Sequence, residues 1–256
     1  MNQMDMNKEN NETGCFVAFV LLSQNQWDKK KFISDFKTDW NIDLSDNDTD
    51  DALVATIDEM TLAAAIMPAP VPNGEAEHYA NANYMWKDAV KTAQNHKAHI
   101  LISVLGKDTD LLERGKLFTK AVSSCLKQQN AIAVYTDGTV FQPSFYTEVA
   151  SFMQEDEDAL PVLDWVWFGI YHTNEHSGIY TYGMRKFGKE EIEVYADADL
   201  NEIRDFLLDI VTYILDCNVT LQDGETIGFS EEQKLGITLS EGIALEGKSL
   251  KIEYPQ

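Results

Sequence analysis

Apolar residues along this chain gather in short runs whose period changes from continuous to helical to alternating. Cys15–Leu22 is a continuous run of aliphatic and aromatic residues, which suits a central strand buried on both faces. A helix signal follows, with Asn25 as a cap and Asp28 three residues on. Ile33 and Phe36 recur at helical spacing, and Trp27 and Trp40 mark the two ends. The acidic stretch Asp43–Asp51 makes a loop. Leu53–Ile57 and Leu62–Ile66 then read as two short strands joined tightly at Asp58 and Glu59. Pro68, Pro70 and Pro72 end the second strand, because proline cannot donate to a ladder. Asn73 and Gly74 turn the chain into one helix opened by Glu75 and Glu77, with Met85, Trp86, Ala89, Val90 and Ala93 on its apolar face. Strand Ala98–Leu105 completes the order β-α-β-β-α-β, which predicts a ferredoxin-like first part.

That part is extended by a helix, a strand and a helix. Asp110 and Glu113 open the first helix at capping-box spacing, and Leu111, Phe118, Val122, Cys125 and Leu126 line one side of it. Ala131–Tyr135 is the strand, and Asp137 and Gly138 turn the chain. Pro143 starts the last helix, in which Phe145, Val149 and Phe152 are expected to face inward. The acidic run Glu155–Asp158 and Pro161 mark a boundary. Beyond it, Asp164–His172 and Ile179–Phe187 predict two long strands linked by a polar turn, and Glu191–Tyr195 a third. A helix over 201–217 carries Ile203, Phe206, Leu207, Ile210 and Ile214, and short strands around Ile227, Ile237 and Leu250–Tyr254 close the chain. The expected fold class is α+β. It comprises a tail over 1–14, a ferredoxin-like part with its α-β-α extension over 15–160, and a second antiparallel sheet with one helix over 161–256.

Charge changes this picture. The 256 residues carry 43 Asp and Glu against 20 Lys and Arg, a net charge of -23, yet 44% of them are apolar. With 12 Phe, 10 Tyr and 5 Trp the chain has the material for a core, so the acidity belongs to the surface of a folded protein. Such a field repels nucleic-acid backbone and anionic lipid and attracts basic partners. Neither nucleic acid nor membrane is therefore an expected partner. The run Cys15–Leu22 is too short to span a bilayer, which takes about 20 residues, and the start of the chain lacks the layout of a secretory signal. Cys15, Cys125 and Cys217 lie far apart in apolar surroundings and read as buried free thiols of a reducing cytoplasm.

Candidate chemistry is sparse. His172 and His176, with Glu175 between them, come nearest to a metal signal. The spacing suits a helix, however, and the segment reads as a hairpin turn, where exposed histidines are the plainer reading. His96 and His99 sit where a helix ends and a strand begins, a place for structural cations. Asp46, Asp48 and Asp50 alternate like the first ligands of a calcium loop. The glycine and the distal glutamate of such a loop are replaced here by Asp51 and Ile57. No phosphate loop, nucleophile elbow or dinucleotide fingerprint occurs. No cofactor is expected.

Three segments stand out together: Met67–Pro72, with Trp86 and His96-Lys97-Ala98-His99 after it; Gly183-Met184-Arg185-Lys186-Phe187-Gly188-Lys189-Glu190-Glu191-Ile192-Glu193; and Asp223-Gly224-Glu225-Thr226-Ile227-Gly228. The chain resembles, on these segments, a bacterial family known as domain of unknown function 4261. The resemblance implies a bacterial cytoplasmic protein and carries over no catalytic residue. In physical terms, Arg185, Lys186 and Lys189 form a basic spot, read either as cross-strand partners of nearby glutamates or as an anion site.

The favoured function is a non-enzymatic acidic interaction protein that binds a basic protein, as an immunity protein would. Two alternatives stay open. One is a small metal-dependent hydrolase using His172, Glu175 and His176, or His96 and His99. The other is a ligand-binding protein with an aromatic pocket of Trp165, Trp167 and Tyr182, aromatics that otherwise read as plain core.

Overall fold

A computed structural model describes residues 12–45, 49–174, 177–196, 198–228 and 234–254. Most of the expected tail, Asp46 and Asp48 of the alternating acidic loop, and Glu175 and His176 lie outside the described residues. Two compact units divide the chain. One runs from Gly14 to Asp164, and the other comprises Trp165 onward with the described residues before Gly14.

The first unit is built on a six-stranded antiparallel sheet in the order β2-β3-β4-β1-β5-β6. Strand β1 (Phe16–Leu22) lies inside it, flanked by β4 (Ala98–Gly106) and β5 (Ala131–Thr136). Its continuous apolar run is explained by cover on both faces. Phe16 meets Phe118 of helix α4 (Leu111–Cys125), with ring centroids 5.8 Å apart. Leu21 faces a cluster of Val71, Ala76, Ala80, Ala89, Ala93 and Val140. Helix α1 (Lys29–Trp40) is capped by Asp28, which accepts from the Lys31 N–H at 2.9 Å, so the cap is Asp28 and not Asn25. Strands β2 (Ala52–Ile57) and β3 (Met60–Met67) form the expected hairpin.

The single helix expected after Gly74 is instead two short ones, α2 (Glu75–Ala80) and α3 (Ala89–Ala93). Asn83 breaks it. Its Oδ1 accepts from the N–H groups of Met85 and Trp86, both at 2.9 Å, and its Nδ2 donates to the Val140 carbonyl at 2.9 Å. A ferredoxin-like order would place β1 between β3 and β4, whereas here β4 pairs directly with β3, from Met60↔Gly106 to Met67↔His99. The strands and helices alternate as expected apart from the split second helix, but the strand pairing is not ferredoxin-like. The extension adds α4, β5, a short β6 (Thr139–Phe141) beyond the Asp137-Gly138 turn, and α5 (Pro143–Glu155). In α5 the inward face is Tyr146, Val149, Ala150 and Met153, while Phe152 is 54% exposed. A helical turn, α6 (Val162–Trp165), follows.

The second unit holds a mixed sheet in the order β10-β11-β12-β9-β8-β7. Its strands are β7 (Trp167–His172), β8 (Ser177–Tyr182), β9 (Ile192–Ala196), β10 (Thr226–Ile227), β11 (Leu235–Glu241) and β12 (Lys248–Glu253). The expected antiparallel sheet is corrected by one parallel pair, β12 with β9. The second long strand stops at Tyr182 and does not reach Phe187. Beyond it the carboxylate of Glu191 accepts from the Gly183 N–H at 2.8 Å and the Arg185 N–H at 3.3 Å, which curls Met184–Phe187 into a 3-10 turn. Helix α7 (Leu200–Asp216) packs along β8 and β9 with Ile203, Leu207, Ile210, Val211 and Ile214 buried.

Register separates the two faces of this sheet. Ile170, Ile179, Val194, Ile252 and Ile237 form one row across five strands, an apolar face suited to α7. One residue along each strand, Gly169, Tyr180, Glu193, Lys251 and Thr238 form the next row, on the opposite face. Among the described residues no helix is long and apolar enough to cross a membrane.

Candidate functional site

The polar face of the second sheet carries a pocket of about 650 Å³ lined by Tyr171, Thr173, Asn174, Tyr195, Ser240, Glu241, Ile243 and Lys251. Strand pairing explains why these residues meet. Tyr171 stands opposite Gly178 on β8, and Gly178 opposite Tyr195 on β9, so a glycine separates two tyrosines in one cross-strand row. The Tyr171 ring lies over that glycine, where an added Cβ would come within 2.5 Å of the ring.

Beneath the pocket lies an ion pair. Lys251 Nζ meets Glu193 Oε2 at 2.6 Å, and the carboxylate side chain is fully buried. The same carboxylate accepts from the N–H groups of Ile243 and Ala244, each at 3.0 Å, which ties the loop between β11 and β12 to the sheet. Lys251 also donates to Ser249 Oγ. Tyr171 is 8% exposed, and its hydroxyl has no hydrogen-bond partner among the described residues. Burial, then the Glu193 charge and the Tyr195 hydroxyl, hold its phenol above the ordinary range, so it stays protonated and can both donate and accept. Glu241 at the rim enters no ion pair among the described residues.

Among the described residues, those singled out in the sequence do not converge. His172 is exposed and its Nδ1 faces Ser177 Oγ at 2.8 Å. His96 is buried, its Nε2 accepting from the Val71 N–H at 2.8 Å and its Nδ1 donating to the Ala93 carbonyl. His99 Nδ1 faces the Ala69 carbonyl at 2.9 Å, and burial lowers its pKa. Among the described residues no group of three or more His, Cys, Asp or Glu could hold a metal ion. Trp165 and Trp167 are core, 0% and 2% exposed, and Tyr182 lies at the surface, so these three do not line the pocket. Arg185 donates to the Lys248 carbonyl at 3.2 Å. Lys186 is buried beside the Phe187 ring, and Lys189 donates to Asn218 Oδ1 at 2.8 Å and Thr220 Oγ1 at 3.1 Å. The three residues of the basic spot are thus held by separate contacts, and the charge of Arg185 acts on the Glu191 carboxylate. Of the three cysteines only Cys125 is buried; Cys15 and Cys217 are exposed at the ends of their elements.

Sequence reasoning missed Tyr171, Glu193 and Lys251 as a site. Their signal was the alternation of polar and apolar positions over 191–195 and 248–253, which puts both charges on the face away from the helix.

No curated protein matches the chain, and no solved structure does. A family model does: residues 180–253, which run from within β8 to the end of β12 and include Glu193, Tyr195, Glu241 and Lys251, match the family described as Domain of unknown function (DUF4261).

Proposed function

We propose that this chain is a non-enzymatic binding protein of a bacterial cytoplasm that engages a basic protein partner, in the manner of an immunity protein. The observation that carries this reading is the net charge of -23 on a chain that buries apolar residues in both of its compact units. A surface of that sign steers cationic partners over long range and raises their association rate. The pocket on the second sheet supplies a place for specific contact, with hydrogen-bonding groups and tyrosine side chains among its lining residues.

Affinity capture of the tagged protein from bacterial lysate, at low and at high ionic strength, tests the reading. One basic protein retained in stoichiometric amount at low salt and released at high salt is the expected result. Retention of acidic or neutral proteins alone, insensitive to salt, would contradict it.

A further inference from the structure

We propose that Met67–Pro72 is a docking strand, a preformed polyproline II segment that a protein partner takes into a groove lined by tryptophan and tyrosine. The segment carries no charge. The inference is therefore independent of the acidic surface and goes beyond the function read from it.

The sequence of this segment restricts its backbone. Pro68, Pro70 and Pro72 lock their own φ at about -65°. Met67, Ala69 and Val71 each precede a proline, whose ring drives the preceding residue out of the helical region into extended backbone. Val71 has φ -55° and ψ 129°, in the polyproline II region. Little conformational freedom is left for binding to remove.

Two histidines hold the segment from its inner side. The Val71 N–H donates to His96 Nε2 at 2.8 Å, and His99 Nδ1 meets the Ala69 carbonyl at 2.9 Å. The Val71 side chain is 3% exposed, packed in the cluster with Leu21, Ala76 and Ala93. A polyproline II strand has three residues per turn and so a triangular section. Val71 lies on the edge turned into the protein. The other two edges, Met67 with Pro70 and Ala69 with Pro72, are exposed, as is Pro68 where the chain leaves β3. A plain connector to α2 would be served by polar residues, whereas this one turns five apolar residues outward.

The chemistry of the segment selects the groove. Its prolines have no N–H, so they offer only acceptors, and among the described residues no hydrogen bond reaches the carbonyls of Pro68 and Pro70. A partner has to bring hydrogen-bond donors beside flat apolar faces on which proline rings pack. The indole N–H and the phenol O–H are such donors, and their rings are such faces.

Site-specific photo-crosslinking in the full chain tests the proposal. The chain carries p-benzoylphenylalanine at the exposed position 69, or as a control at the exposed position 148 on α5, and is irradiated in bacterial lysate. Mass spectrometry then identifies the bonded peptide. One protein is expected to be bonded from position 69 and not from position 148, through a peptide containing tryptophan or tyrosine. The capped free peptide Met-Pro-Ala-Pro-Val-Pro should displace it, and the same peptide with its three prolines replaced by alanine should not. Pro70→Asp, at an exposed position, should lower the yield by about tenfold with the thermal midpoint of the chain unchanged. The yield should also be the same at low and at high salt, because the contact is uncharged. Absence of an adduct, displacement by both peptides or by neither, a bonded peptide without aromatic residues, or loss of the adduct at high salt would overturn the docking strand. Salt-sensitive capture of a basic protein is decided separately, since it runs through the acidic surface and not through this segment.

Discussion

Glu193 and Lys251 face each other across the one parallel strand pair of the second sheet, Nζ to Oε2 at 2.6 Å, with side-chain exposures of 0% and 10%. A buried carboxylate in this position needs its cation. Lys251→Met would strand the charge and cost about 3–5 kcal/mol. The double variant Lys251→Met with Glu193→Gln should recover much of that loss, because the glutamine oxygen still accepts from the Ile243 and Ala244 amides. Urea unfolding of the two variants checks the order; equal loss in both would contradict the role given to the pair.

Glu191 makes stability depend on pH. Burial raises its pKa above 4.5, although bonds from Thr181, Gly183 and Arg185 pull the other way. The folded chain therefore holds this proton where the unfolded chain has released it. Its contribution to stability falls as pH rises from 4.5 through the raised folded value. Glu191→Gln keeps an acceptor for the Gly183 and Arg185 amides and should be more stable than the parent at neutral pH, the difference shrinking towards pH 4.5. Thermal unfolding across that range tests the sign.

Asp58 and Glu59 both hold positive φ, 45° and 65°, in the two-residue turn between β2 and β3. That turn favours glycine at its second position, and an ordinary L residue there costs about 1 kcal/mol. Glu59→Gly should raise the stability of the chain by about that amount in chemical denaturation.

His96 joins the proline connector to the end of α3 through both ring nitrogens. Because Nε2 accepts a backbone N–H, the ring is the neutral Nδ1–H tautomer, which nitrogen NMR reads directly. His96→Leu should orphan the Val71 N–H and cost about 1–3 kcal/mol, with no change in the metal content of the purified protein.

How far the sequence reveals this molecule differs from element to element. β1 was readable as a doubly buried strand because both of its faces are apolar, and α7 because its apolar stripe is long. The break at Asn83 was not, since the side chain that ends α2 does so by bonding Val140, fifty-seven residues away. The strand order was hidden as well, because β3 and β4 pair across the thirty residues that separate them, and no local pattern reports which strands become neighbours. The pocket was hidden for another reason: Tyr171, Tyr195 and Lys251 become neighbours through pairing across four strands, and local alternation gives the face they share but not their meeting. The aromatic positions that drew attention, Trp165 and Trp167, are the largest fully buried or nearly buried side chains, which is the ordinary fate of tryptophan in a core.

The acidic surface as a guide for a basic partner is tested most directly by association kinetics of the purified protein with the protein it captures, followed over increasing salt. The association rate constant should fall steeply, by about tenfold or more from low to high ionic strength, while dissociation changes little. An association rate that stays flat over that series would contradict the central claim.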